Sequence, residues 1–188
     1  MLSELIASRG VVEECVLAGP IGVMAIHGGL EAATAEIASA VAASAGASRY
    51  ALIQPAELRW HVPSTRFDPS HSPALKAFVR HVTTAVSIHG FGRRGLEDTV
   101  LVGGRNRLLA EVVGDAVRAG TKLHVVTDLE AIPRGLRGLH AANPVNLPPQ
   151  EGVQLELSVG ARHADHHDAL VASLTDAVLS PAAAAAGG

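Results

Sequence analysis

The stretch IGVMAIHGGLE, residues 21–31, carries the pattern that best indicates the architecture of this chain. Residues 21–26 are apolar and rich in side chains that favour strands, which predicts a β-strand. The strand ends at His27, and the paired glycines that follow disfavour a continuous helix by about 1 kcal/mol each relative to alanine. Residues 27–31 are therefore predicted to form a hook that leads into an Ala-rich helix over residues 30–45.

The same alternation of short β-rich runs with longer helical runs continues along the chain, and it is typical of a layered α/β fold. Pro-containing segments at residues 63–73 and 131–150 are predicted to be loops, and the longer one is of the kind that often carries function. Further strands are predicted at residues 11–17, 50–54, 84–88, 99–102, 123–127 and 153–159, and further helices at residues 74–81, 107–119 and 166–179.

The chain has 188 residues, too few for two ordinary domains, so a single domain is predicted over residues 1–179. Residues 180–188 consist of Ser, Pro, Ala and Gly and are predicted to form a flexible tail. Hydrophobic residues make up 48% of the chain but aromatic residues only 3%. The core is therefore predicted to consist of Ala, Val, Leu and Ile, which suits an α/β fold.

Charge and cysteine content exclude several functional classes. A net charge of -3 and a pI near 6.3 argue against nonspecific binding to nucleic acid, which depends on neutralising phosphates. No apolar run approaches the ~20 residues that span a bilayer, and residues 1–10 do not resemble a signal peptide. Cys15 is the only cysteine, which fits a reducing compartment, so a cytoplasmic location is predicted.

Polar residues at the ends of predicted strands indicate a metal site. Ligands of open α/β sheets bind beyond the carboxyl ends of the strands, where His27, His89 and residues 103–105 are expected. A catalytic zinc ion takes three protein ligands, commonly imidazole and carboxylate groups, and keeps one position open. We predict that His27, Glu31 and His89 are these ligands. The alternative is that both histidines are ordinary strand-end residues bonded to the backbone.

Glu156 is the predicted general base. Alternation along residues 153–158 places Glu156 on the face opposite the Val and Leu side chains of the same strand. A carboxylate within an apolar strand is costly unless it is paired or needed. As a base, Glu156 would take a proton from zinc-bound water, whose pKa the metal lowers towards ~7, and pass it to the leaving amine. The alternative is an edge strand with a solvated face.

Five motifs resemble, in the same order, those of the phage-type poly-γ-glutamate hydrolases, some of which are labelled phage-related replication proteins. They are AIHGGLE (residues 25–31), STRFD (64–68), VSIHG (86–90), VGGR (102–105) and GVQLELS (152–158). Arg162 follows the last motif at the expected place, and the resemblance covers roughly residues 10 to 175. In that family one more residue separates the first His from the Glu, and Pro-Gly follows where this chain has Ala32-Ala33.

The resemblance implies a fold similar to that of the metallocarboxypeptidases, an α/β/α sandwich around a mixed central sheet. It also implies zinc bound by His27, Glu31 and His89, with Glu156 as the catalytic glutamate. A polyanionic substrate calls for arginines, which bind carboxylates through two hydrogen bonds. Arg66, Arg105 and Arg162 are the predicted substrate-binding residues, whereas the loop arginines 93, 94, 134 and 137 are better explained by solubility.

Three functional hypotheses follow. The leading hypothesis is a zinc-dependent hydrolase of γ-glutamyl amide bonds that acts on an anionic peptide or γ-glutamyl polymer. The second keeps the zinc chemistry but assigns another peptide or an N-acyl substrate, as in carboxypeptidase-like enzymes. The third is a non-catalytic binding protein associated with phage or replication. The sequence leaves the oligomeric state open.

Overall fold

The computed structural model of the protein describes residues 1–180. Apart from Ser180, the predicted flexible tail lies outside the described residues. Within residues 1–180 seven strands form one sheet in the order β1-β3-β2-β4-β7-β5-β6. The strands are β1 (Val12–Val16), β2 (Ile21–Gly28), β3 (Ser48–Ile53), β4 (Thr84–Gly90), β5 (Thr99–Val102), β6 (His124–Val126) and β7 (Gly152–Leu157), close to the seven predicted positions.

The sheet is mixed. Strands β3, β2, β4 and β7 are parallel neighbours, β1 pairs antiparallel with β3, and β5 pairs antiparallel with β7. Strand β6 completes the other edge, parallel to β5. Because the four central strands run in one direction, their carboxyl ends form a common rim, where predicted site residues from three of these strands lie.

Helices cover both faces of this sheet. Helix α5 packs against both α2 and α4, these three helices cover one face of the sheet, and α1 and α3 lie on the opposite face. The α/β/α sandwich around a mixed sheet is therefore confirmed. No helix among residues 1–180 is long and apolar enough to cross a membrane. The helices are α1 (Leu2–Ile6), which was not predicted, α2 (Thr34–Ala45), α3 (Pro73–His81), α4 (Arg107–Gly120) and α5 (Ala164–Leu179).

The two faces of the sheet bury different side chains. Among the described residues, the cluster under α2, α4 and α5 is aliphatic throughout, as the composition predicted. The opposite cluster contains the fully buried rings of Tyr50, Phe67 and Phe78. The few aromatic residues of the chain are thus concentrated on the face that also carries the candidate site.

Helix α2 begins at Thr34, four residues later than predicted. Gly29 and Ala33 both adopt a left-handed backbone conformation, with φ of 75° and 67°, so the chain turns sharply between them. A Cβ atom at position 29 would overlap the carbonyl oxygen of Gln54, which explains the glycine there. The turn therefore occupies residues 29–33, two residues later than the hook predicted at residues 27–31, and the helix starts after it.

Strand β7 lies inside the sheet, between β4 and β5. Both of its faces are buried, and the polar face consists of Gln154 and Glu156, each 4% exposed, followed by Ser158 at 1%. The alternative interpretation of this segment as an edge strand with a solvated face is therefore wrong. Glu156 is a carboxylate held within the interior of the protein, which requires a specific set of partners.

Candidate metal centre

The structure brings the three predicted ligands together at the rim of the sheet. Donor atoms of His27, Glu31 and His89 all lie within 4.8 Å of one another. Nδ1 of His27 is 3.0 Å from Oε1 of Glu31, and Nδ1 of His89 is 3.8 Å from Oε2 of the same carboxylate. Both histidines are buried, each 3% exposed. The short hook is thus long enough to place Glu31 between the two imidazoles.

His27 reaches the site through an irregularity in β2. Val23 and Ala25 face the aliphatic cluster under α2, so strict alternation would place His27 on that same side. The register between β2 and β3 shifts between Ala25 and Gly28, where β2 has one extra residue. The His27 ring instead contacts Phe67 on the opposite face, with ring centroids 5.8 Å apart. The bulge therefore redirects this side chain into the site.

The hydrogen bonds of the two imidazoles leave one nitrogen of each for a metal. Nε2 of His27 is 2.9 Å from the carbonyl oxygen of Val62, which can only accept, so Nε2 carries the proton. Nδ1 of His27 is then an acceptor facing the Glu31 carboxylate, an arrangement that a cation between them would stabilise. Nε2 of His89 bonds to the Ser87 hydroxyl at 2.8 Å, so its Nδ1 is likewise directed at Glu31. Such outer partners commonly fix the orientation of metal-binding histidines.

Glu31 is held as an anion. Its Oε2 accepts a hydrogen bond of 2.8 Å from the backbone N–H of Gly90. Burial acts to raise the pKa of Glu31, but its interactions with His27 and His89 and the hydrogen bond from the Gly90 N–H outweigh burial, so the pKa lies below its usual value. An ionised carboxylate is the form that binds metal.

His89 is kept neutral by its surroundings. Complete burial, together with the neighbouring His27, lowers the pKa of His89 to about 3, against a smaller opposing effect of Glu31. A neutral imidazole is the form that ligates metal. The residues present therefore fit a cation with nitrogen and oxygen ligands.

Glu156 lines the same cavity as the three candidate ligands, a space of about 360 Å³. It lies directly opposite His89 in the register of β4 and β7. Burial and the charge of Glu31 raise the pKa of Glu156 to about 8, although a hydrogen bond from Gln154 and the charges of Arg162 and Arg93 oppose the shift. A carboxyl group with a pKa near neutrality is suited to general acid–base catalysis.

Arg162 lies beside both carboxylates of the site. Its charge acts on Glu31 and Glu156, and its Nη1 donates 2.7 Å to the carbonyl oxygen of Ala32 in the hook. A Cβ atom on Gly90 would come within 2.7 Å of the guanidinium carbon of Arg162. The glycine after His89 is therefore required for the guanidinium to lie across the rim.

The other two predicted arginines lie elsewhere. Arg105 is exposed and forms an ion pair of 2.9 Å with Glu151. Arg66 is exposed in a short 3-10 turn, Ser64–Arg66, of which Ser64 and Thr65 line the cavity. The substrate-binding roles of Arg66, Arg105 and Arg162 stay predictions.

Sequence reasoning gave no role to several residues that shape the site. The Val62 carbonyl and the Ser87 hydroxyl orient the histidines. His61, for which the sequence left open a role near the site or packing beside Trp60, lines the cavity with its ring 4.7 Å from that of His27. Gln154 bonds to Glu156, and alternation along β7 was the one signal that could have pointed to it. A second cavity of about 490 Å³ adjoins the first and shares Ser64, Thr65, Gly135 and Gln154 with it.

Comparison with known proteins identifies one family and several solved structures of similar fold. The family model described as poly-gamma-glutamate hydrolase matches residues 11–175. The structure of a bacteriophage poly-gamma-glutamate hydrolase matches with a TM-score of 0.79 and 22% identity, covering 94% of this chain and 92% of that one. A structure named YNDL-apo (zinc-free) matches with a TM-score of 0.76 and 19% identity, covering 92% and 91%. A gene product of Agrobacterium tumefaciens, Atu2144, matches with a TM-score of 0.58 and 12% identity, covering 95% of both chains. Curated protein sequences gave no significant match.

Proposed function

We propose, from the premise that this chain belongs to the poly-γ-glutamate hydrolase family, that it is a zinc-dependent hydrolase of γ-glutamyl amide bonds. The observation that supports this most directly is the convergence of His27, Glu31 and His89 on one point of a cavity that Glu156 also lines. Membership of the family makes the chain a hydrolase of this type. The identity of the metal, the catalytic mechanism and the substrate are proposed here.

Zinc is the metal that we propose for this centre. Two imidazoles and one carboxylate form a common ligand set of catalytic zinc sites, which keep a further position open for water or substrate. His27, Glu31 and His89 would hold the ion on the cavity side of the rim. Zinc there would supply Lewis acidity, which activates water and polarises the carbonyl group of the substrate. One of the proteins similar in fold carries the words zinc-free in its name.

Glu156 would move the proton. Its carboxylate would accept a proton from the attacking water and later donate it to the nitrogen of the leaving amine. Burial of Glu156 disfavours its charged form and so helps the group to retain the proton between these two steps. Because Glu156 and Gln154, its hydrogen-bond partner on β7, are both buried, the side chain would need little rearrangement during the reaction.

The substrate that we propose is a γ-linked glutamate chain, which carries one free carboxylate on each residue. Arg162 uses Nε and Nη1 for backbone carbonyls, and within residues 1–180 its Nη2 has no protein partner, so this nitrogen could bind a substrate carboxylate. Arg134 lines the adjoining cavity of about 490 Å³ and is exposed. We infer that residues of the polymer beyond the scissile bond occupy this second cavity.

The first test measures metal content and turnover together. Purified protein should bind about one zinc ion per chain, and His89→Ala should lose both the zinc and the cleavage of poly-γ-glutamate. Glu156→Gln should keep the zinc while its turnover falls by about 10²–10⁴-fold, because only the proton transfer is removed. His124→Ala, which removes an exposed histidine from the edge strand β6, is the matched control and should behave as the wild type. Unchanged turnover in His89→Ala would refute the proposal.

The second test compares substrates. Poly-γ-glutamate, poly-α-glutamate and small N-acyl amino acids should be offered to the same zinc-loaded protein. We expect cleavage of the γ-linked polymer and a much lower rate on the α-linked polymer of equal charge. A preference for α-linked or N-acyl substrates would retain the zinc chemistry and reject the γ-glutamyl assignment. The cytoplasmic location and the absence of nucleic-acid binding stay predictions from the sequence.

A further inference from the structure

Glu156 is the end of a row of buried side-chain hydrogen bonds. Gln154 lies two residues earlier on the same face of β7, and its Nε2 donates a hydrogen bond of 2.7 Å to Oε1 of Glu156. Asn143, in the loop of residues 131–150, donates from Nδ2 to Oε1 of Gln154 at 2.6 Å. Asn143 is 2% exposed, and Gln154 and Glu156 are each 4% exposed. The row therefore operates without competition from solvent.

A backbone amide fixes the direction of this row. The amide groups of Asn and Gln can in principle point either way. Oδ1 of Asn143 accepts from the backbone N–H of Val145 at 3.4 Å, and that N–H can only donate. Nδ2 of Asn143 must then point to Gln154, whose Oε1 accepts and whose Nε2 is left to face Glu156. Every hydrogen bond in the row is therefore donated towards the catalytic carboxylate.

The loop that contains Asn143 also packs against Gln154. Gly138 has a left-handed φ of 67°, and a Cβ atom there would come within 2.6 Å of Cβ of Gln154. Asn146 holds this part of the loop by donating to the carbonyl oxygens of Gly138 and His140, at 2.7 and 3.1 Å. The Gln154 side chain is thus confined on one side by the loop and fixed at both ends by hydrogen bonds.

We propose that Asn143 and Gln154 are positioning residues that hold the Glu156 carboxylate in one orientation, with Oε1 occupied by Gln154 and Oε2 left to exchange the proton. This proposal rests on the proposed function, since it concerns the base of that reaction. It gives the 131–150 loop a role in catalysis as well as in lining the two cavities. Asn143 need not touch the substrate to affect turnover.

The variant Asn143→Asp tests the direction of the row. The substitution keeps the size of the side chain and the acceptor for Val145, but the new carboxylate cannot donate to Gln154. The Gln154 amide should then turn its Nε2 to this carboxylate and present Oε1 to Glu156, where two acceptors repel each other. We expect kcat for poly-γ-glutamate to fall about tenfold or more, with KM and zinc content changed less than about threefold.

Asn146→Asp is the matched control. It removes donated hydrogen bonds in the same loop and adds the same charge, but within residues 1–180 the Asn146 side chain bonds to Gly138, His140 and Arg105 and forms no hydrogen bond to Gln154. We expect comparable loss of stability in the two variants and a smaller effect of Asn146→Asp on kcat. Equal losses of kcat would overturn the proposal, because the loop alone would then be responsible.

A measurement on the metal-free wild-type protein is independent of turnover and of how the variants fold. The Nε2 protons of Gln154 should exchange slowly with water in NMR spectra, and their chemical shifts should change in Glu156→Gln. Rapid exchange of these protons, or chemical shifts that are the same in Glu156→Gln as in the wild type, would overturn the positioning role even if the enzyme cleaves the polymer. If wild-type protein with bound zinc fails to cleave it, the proposed function fails, and the NMR result still decides whether the row exists.

Discussion

The two His-Gly strand ends look alike in the sequence but are built differently. Strand β4 pairs with β7 without interruption, and regular alternation brings His89 to the site opposite Glu156. Strand β2 has an extra residue between Ala25 and Gly28, and this bulge turns His27 to the same side. Two strand ends with the same His-Gly sequence thus reach one candidate metal centre by different backbone routes.

The outer hydrogen bonds of the two histidines differ in the same way. His89 bonds to Ser87 on its own strand, whereas His27 bonds to the carbonyl oxygen of Val62, 35 residues later in the chain. The orientation of His89 is therefore encoded locally, and that of His27 depends on how a distant loop packs. Substitutions at the two strand ends should separate these two kinds of control.

The largest difference is expected from adding a methyl group at each strand end. Gly29→Ala should lower the free energy of unfolding by about 3 kcal/mol or more, because the new Cβ meets the Gln54 backbone at a left-handed φ. Gly90→Ala should cost about 1 kcal/mol, because the Arg162 guanidinium that it meets can move aside. Urea unfolding of both metal-free variants measures this, and equal losses would contradict the comparison.

A smaller difference is expected from the outer partners of the histidines. Ser87→Ala removes the hydrogen bond to Nε2 of His89 and should weaken zinc binding about 10–100-fold. Val62→Ala keeps the carbonyl group that bonds to His27, so it should lower stability through lost packing and leave zinc affinity within about threefold. Competition with a chelator measures both affinities. Equal weakening by the two substitutions would show that local and distant control are not separable.

The smallest effect concerns pH and the metal-free protein. The folded-state pKa of Glu156 is raised to about 8, so its stabilising contribution is complete below its ordinary value of 4.5 and is lost as the pH rises through 8. The pKa of His89 is lowered to about 3, so its contribution is complete above 6.5 and is lost only on acidification. Between pH 6.5 and 8 the Glu156 effect should therefore dominate, with a loss of at most about 1.4 kcal/mol per pH unit.

Glu156→Gln is the variant that tests this pH dependence. It removes the ionisation while keeping the size of the side chain, so the loss of stability between pH 6.5 and 8 should disappear. Thermal or urea unfolding at several pH values in the presence of a chelator gives the comparison. A wild-type protein whose stability is independent of pH in this window would show that burial of Glu156 is relieved in solution.

Most of the secondary structure followed from local patterns. Within residues 1–180, the seven strands and four of the five helices lie close to their predicted positions, because most of them carry a local apolar or alternating pattern bounded by Gly, Pro or polar residues. Helix α1 was missed because five residues are too few to show a helical period. The start of α2 was predicted too early because Ala33 has a left-handed backbone conformation, which an alanine in the sequence does not indicate.

In the candidate site, too, some residues were predictable from local sequence and others were not. His27, Glu31, His89 and Glu156 were predicted from strand ends and alternation, and the structure brings them to one cavity. Arg105 also follows a predicted strand, but its side chain pairs with Glu151 instead of lining that cavity. Where a strand ends is a local property, whereas the direction of a long exposed side chain depends on the neighbours that it finds.

The sequence by itself determined the order of strands and helices, the apolar faces and the residue types available for a metal site, because each depends on neighbours along the chain. Only the tertiary structure decided that the bulge in β2 turns His27 towards His89, that the Val62 carbonyl fixes its free nitrogen, and that Asn143 reaches Glu156 through Gln154. These features join residues far apart in the chain, and such contacts depend on how the layers pack around the sheet.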